Sequence, residues 1–172
     1  GPGGPGGTGL GCARRQRVWL APGAAEPGRT AELLLCAAAR ARDVQQLVLP
    51  ALGAGHWVLS GRCCGSTAAY QGYGRGLSLE LIDQLSLIAC RGLEPDLTLL
   101  LELPLQESLR RRGHRPADRI EASGEAFLAR VCAGFSSLAA QPRWQRVDAS
   151  QSVEQVSAEL QGAISDCCHG DG

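Results

Sequence analysis

The run Leu97–Leu103, L-T-L-L-L-E-L, limits the architecture more than any other stretch. It is short and nearly all apolar, and it is bounded by Glu94-Pro95-Asp96 before and Pro104 after. Such a run is a strand buried on both faces, and strands of that kind belong to parallel sheets covered by helices. The surrounding chain supplies the helices. Thr30 is read as the cap of a long helix through about Val48, with Leu33, Ala37, Arg40, Val44, Leu47 and Val48 at helical spacing and Pro50 and Gly53 closing it. Further helices are predicted from Leu77 or Ser78 to about Cys90, from Pro104 to Arg112, from about Gly124 to Ala139, and over Val153–Ile164. Trp57–Leu59 and Gln145–Val147 are the other strand candidates. Alternating helices and strands predict an α/β fold, a parallel sheet flanked by helices.

At 172 residues the chain suits one domain, residues 1–172, with a Gly/Pro-rich lead-in over residues 1–9. Formal charge is zero, which gives no bulk electrostatic case for nucleic acid or an acidic membrane surface. No apolar run approaches a membrane span, and the opening glycines and prolines lack the features of a signal peptide. The expected setting is the cytoplasm. All 17 basic residues are arginine, with no lysine in the sequence. Eight cysteines include the adjacent pairs Cys63-Cys64 and Cys167-Cys168, but no C-x-x-C spacing occurs. They are read as free thiols, and no metal ligands are assigned.

The chemistry concentrates between Trp57 and Leu77, W-V-L-S-G-R-C-C-G-S-T-A-A-Y-Q-G-Y-G-R-G-L. Ligands in open α/β sheets sit beyond the carboxyl ends of strands. Here Arg62 follows the strand candidate, then Ser66, Thr67, Tyr70, Gln71 and Arg75. Guanidinium, hydroxyl and amide groups in that order are suited to holding a phosphate and a polar ring. Arg62 also reads as a surface arginine paired with a carboxylate, Ser66 and Thr67 as helix caps, and Tyr70 and Gln71 as loop-closing residues. Arg40 stands among Ala37, Ala38, Ala39 and Ala41, so if buried it needs a partner. Arg110, Arg111, Arg112, Arg115 and Arg119 form the densest positive cluster, which is also what a solvated helix C-terminus looks like.

These residues resemble bacterial thymidylate kinases. Trp57–Leu77 is similar to the family segment W-V-(L/I)-x-D-R-x-x-x-S-T-x-A-Y-Q-G-x-G-R-G-L. Pro5-Gly6-Gly7-Thr8 resembles E-P-G-G-T, and Ala31–Leu52 resembles the A-E-L-L-x-F-A-A-R-x-Q…P-A-L helix. Leu93–Leu99 resembles R-P-D-L-T-(L/V), Asp118-Arg119-Ile120-Glu121 the lid's D-R-(F/I)-E, and Val147-Asp148-Ala149 the late strand ending in D-A. The motifs fall in family order over nearly the whole chain.

The resemblance implies a P-loop nucleoside monophosphate kinase fold. By this resemblance the first strand, P-loop, first helix and second strand would precede Gly1, leaving an exposed apolar edge on the strands that should flank them. It implies transfer of the ATP γ-phosphoryl group to dTMP with magnesium, giving dTDP, by a homodimer. Arg40, Arg62, Ser66, Thr67, Tyr70, Gln71 and Arg75 would hold the acceptor nucleotide. Arg112, Arg115 and Arg119, in a lid over residues 110–123, would stabilise charge on the transferring group. Three positions depart from the pattern: Gly61 replaces the aspartate of D-R, Cys36 the base-stacking aromatic, and Gly4 the glutamate of E-P-G-G-T. The cradle G-x-x-x-x-G-K-[ST] requires a lysine, which is absent. The 172-residue chain is therefore expected to be inactive alone. The alternatives are a nucleotide-binding pseudoenzyme and a ligand-free interaction module.

Overall fold

The computed structural model describes residues 28–113 and 121–169. They divide into two compact units, residues 28–93 with 121–134 and residues 94–113 with 135–169.

The first unit is helical. Helix α1, Arg29–Asp43, passes through a π-helical turn at Val44–Val48 into α2, Leu49–Gly53. The chain therefore stays helical beyond Pro50. Proline cannot donate to the preceding turn, and a widened turn just before it is one way a helix accommodates that loss. Thr30 is not the cap: α1 starts one residue earlier, Gly28 occupies the cap position, and no side chain caps it. Helix α3, Cys64–Thr67, runs into a second π-helical stretch, Ala68–Gly74, so Tyr70 and Gln71 lie on a helix rather than in a loop. Helix α4, Leu79–Cys90, begins where Ser78 Oγ accepts a hydrogen bond from the Leu81 N–H at 3.3 Å. It ends on Arg91, whose φ of 56° and the following Gly92 at 74° reverse the chain. Leu33 of α1 and Ile82 of α4, each about 1% exposed, meet at the centre with Ala69 and Ala89.

Trp57–Leu59 does not form the expected strand. A strand is held by its ladder, and no described strand pairs with this one. Trp57 and Leu59 stand 77% and 93% exposed, the exposed apolar segment expected where a neighbouring strand is lacking.

The second unit holds the sheet. Strand β1, Thr98–Glu102, pairs in parallel with β2, Trp144–Asp148, from Thr98 opposite Trp144 to Glu102 opposite Asp148. Parallel neighbours require a crossover. Here it includes helix α5, Leu105–Arg112, and helix α6, Glu125–Leu138, whose last residues belong to this unit and whose first belong to the other. A 3-10 turn at Glu121–Ser123 precedes α6. Helix α7, Val153–His169, packs on β2 and extends past the expected Ile164. Val147 is wholly buried, whereas Leu101 of β1 is half exposed, so the sheet among the described residues is covered only in part. Glu102 is structural: its carboxylate accepts from Ser136 Oγ at 3.1 Å and from Arg146 at 3.3 Å. Mixed helices and a parallel sheet give the α/β class.

Candidate functional site

The first unit gathers the predicted acceptor residues around the helical stretch that starts at Cys64. Arg62 lies just before it with φ of 81°, a backbone conformation that L side chains rarely take and that clusters at ligand clamps. Its guanidinium sits 5.4 Å from the centre of the Tyr70 ring, eight residues further along the same segment. Arg62 itself is exposed and makes no ion pair among the described residues. Ser66, whose N–H bonds Cys63 O at 3.0 Å, and Thr67 lie within the helical turns rather than capping them.

Arg40 reaches across from α1. Its NH2 group donates to Thr67 Oγ1 at 3.3 Å, and it lines a crevice with Leu33, Ala37, Ile82 and Ala89. Three cysteines stand at the same corner: the Cys64 and Cys90 sulfurs are 3.2 Å apart, and Cys63 lies 3.9 Å from Cys64. Contact with the Cys64 and Cys90 thiols, together with the Arg40 charge, draws the Cys63 pKa down to about 2. Burial disfavours the Arg40 cation, but the negative sulfur of Cys63, aided by its neighbours, outweighs that and leaves its pKa raised. Arg40 is thus a largely desolvated cation facing the sulfur of Cys63.

Gln71 is buried and donates from Nε2 to Glu32 Oε1 at 2.7 Å. The other oxygen of Glu32 pairs with Arg75 NH2 at 3.5 Å. Arg75 also lies over the Phe127 ring, 4.8 Å to its centre, while its buried Nε–H has no acceptor among the described residues. An orphaned buried donor is costly unless something occupies it. Glu32 and Arg130, which donates twice to Gly74 O at 3.0 and 3.2 Å, were not singled out from sequence. Glu32 does stand in the A-E-L-L motif, a signal that could have marked it.

The crevice beside Arg40 holds about 10 Å³, enough for one water. Magnesium requires hard oxygen ligands. Gly61 offers no side chain, the donors beside Arg40 are thiols, and Glu32 is already shared by Gln71 and Arg75, so these residues do not fit that ion. Of the predicted lid arginines, Arg112 closes α5, while Arg115 and Arg119 lie outside the described residues.

The family profile described as thymidylate kinase matches residues 5–160. The chain belongs to the thymidylate kinase family. It is 57% identical over 160 residues to a thymidylate kinase of Prochlorococcus marinus (strain MIT 9313), covering 93% of this chain and 74% of that one. A Synechococcus thymidylate kinase (strain RCC307) is 56% identical over 160 residues, 93% of this chain and 76% of its own. That of Parasynechococcus marenigrum (strain WH8102) is 52% identical over 162 residues, 94% and 78%. Among the described residues no helix is long and apolar enough to cross a membrane.

Proposed function

We propose that this chain carries the acceptor side of a dTMP kinase, the enzyme class that moves the γ-phosphoryl group of ATP, as its magnesium complex, onto dTMP to give dTDP. Arg62 takes the 5′-phosphate, since a guanidinium offers two parallel donors to a phosphate. Arg40 and Gln71 address the pyrimidine edge, Tyr70 lines the sugar, and Ser66 and Thr67 supply hydroxyls. Arg75 steadies Gln71 through their shared partner, Glu32. Arg112, Arg115 and Arg119 are proposed as the lid cations that meet charge on the transferring group.

One observation carries this reading. Arg62, with no carboxylate partner among the described residues, projects beside Tyr70 from a backbone conformation that its side chain has no intrinsic reason to adopt. No lysine exists in the 172 residues, and Gly61 replaces a carboxylate, so binding is proposed for these residues and turnover is not. Pairing of two copies is proposed through helix faces. Helix α4 turns Leu81 and Ile88 outward at a spacing of seven, leaving an apolar stripe.

Thermal unfolding with increasing dTMP tests the proposal. A ligand that binds only the folded state raises the melting temperature as its concentration passes Kd. A rise with dTMP, with no dTDP formed from ATP in a coupled assay, is the expected result. No rise at millimolar dTMP refutes the acceptor site, and dTDP formation above background refutes the restriction to binding.

A further inference from the structure

Cys63, Cys64 and Cys90 bring their sulfurs within 4.8 Å of one another, although Cys90 is 26 residues away in sequence. Cys63 is extended (φ −124°, ψ −150°) and Cys64 opens α3. In a continuing strand adjacent side chains point to opposite sides. The change from extended to helical backbone is what lets these two neighbours converge. Cys90 comes in from the last residue of α4. None of the three is in a disulfide, and Cys63 and Cys64 are half-buried, open enough for an ion to enter.

A thiolate-bound metal with bonds of about 2.3 Å holds three sulfurs about 3.8–4.0 Å apart. The Cys63–Cys64 separation, 3.9 Å, falls in that range, the Cys64–Cys90 separation, 3.2 Å, is shorter and would have to open by about 0.6 Å, and all three sulfurs lie within 4.8 Å of one another. The charges also balance. Three thiolates around a divalent ion leave one net negative charge, and Arg40 faces it with one positive charge. Soft sulfur donors select thiophilic ions with filled d shells and reject magnesium and calcium.

We propose that Cys63, Cys64 and Cys90 form a three-thiolate site for such an ion, zinc-like or cuprous, with Arg40 as its counter-charge. The site shares Arg40 with the proposed nucleotide site but needs no nucleotide to take up its ion. A divalent ion bound there has a fourth position open to water, whereas a cuprous ion is satisfied by the three sulfurs.

The test uses the full, reduced chain under anaerobic conditions, with Cys167→Ser and Cys168→Ser to remove the exposed terminal pair. Cadmium is titrated and the thiolate-to-metal charge-transfer absorption in the ultraviolet is followed. One equivalent with that absorption is expected. It should be lost in Cys90→Ala and in the half-buried Cys63→Ser, and retained in Cys132→Ser. Parallel titrations with zinc against a chromogenic chelator, and with cuprous ion against a cuprous-specific one, distinguish the two ion classes. Uptake that appears only with Cys167 and Cys168 present, that survives both Cys90→Ala and Cys63→Ser, or that is absent altogether overturns the proposal.

Discussion

Replacing Glu32 by alanine should unfold the first unit more readily than any surface change, because one buried carboxylate serves two partners. Gln71 Nε2 loses a 2.7 Å charge-assisted bond in a site where both residues are about 3% exposed. Leaving a buried amide unsatisfied costs about 1–3 kcal/mol. Arg75 loses its one carboxylate partner among the described residues, but that contact is long at 3.5 Å and the side chain is 18% exposed. Its share therefore falls well below the roughly 3–5 kcal/mol of a fully buried broken pair. A combined loss of about 3 kcal/mol corresponds to a fall of about 6–12 °C in Tm for a chain of this size. Glu32→Gln keeps an acceptor for Gln71 and gives up mainly the attraction to Arg75, so it should lose about a third as much. Differential scanning calorimetry of both variants checks the ordering. A fall below about 2 °C for Glu32→Ala, or Glu32→Gln as damaging as Glu32→Ala, refutes the reasoning.

Three more outcomes follow from other parts of the molecule. A Cβ added at Gly134 would lie 2.7 Å from the Tyr73 ring, so Gly134→Ala should lower stability by about 1–3 kcal/mol in urea unfolding, with an unchanged m value. Ile82→Ala empties a central position and should cost about 2–5 kcal/mol by the same measurement. Glu107 bonds Arg110 at 2.6 Å and Arg111 at 2.8 Å, which draws its pKa down to about 2. A depressed carboxyl contributes stability that is complete above its unfolded pKa and is lost as pH falls through the folded one, so this contribution fades between about pH 4.5 and 2. Carbon-detected NMR titration should show that midpoint, and it should rise in Arg110→Ala.

Much of this was legible because local signals and tertiary structure agree. Leu97–Leu103 read as a parallel strand and forms one over Thr98–Glu102, and Ser78 caps the helix it was expected to cap. Trp57–Leu59 has the composition of a strand, but composition does not supply a ladder partner, and none is present among the described residues. Thr30 looked like a cap because hydroxyls favour that position, while the chain turns two residues sooner, at Gly28. Arg40 and Arg62 could be picked out because lone cations in apolar or strand-end settings need a reason. Glu32 could not be understood that way: its role depends on Gln71, 39 residues on. The thiol cluster was missed for the same reason, since the search for cysteine pairs at ligand spacing cannot see α4 folding Cys90 onto Cys63 and Cys64.

The central claim, that Arg62 and Arg40 form an acceptor-nucleotide site, is tested most directly by calorimetric titration of dTMP and of thymidine into the wild-type chain, Arg62→Ala and Arg40→Ala. Hydrogen bonds to charged groups are worth about 1.5–3 kcal/mol, so Arg62→Ala should weaken dTMP binding roughly 10- to 150-fold and leave thymidine, which has no phosphate, unchanged. Arg40→Ala should weaken both ligands alike. Equal dTMP affinity in all three proteins, or an Arg62 effect of the same size on thymidine, would contradict the account.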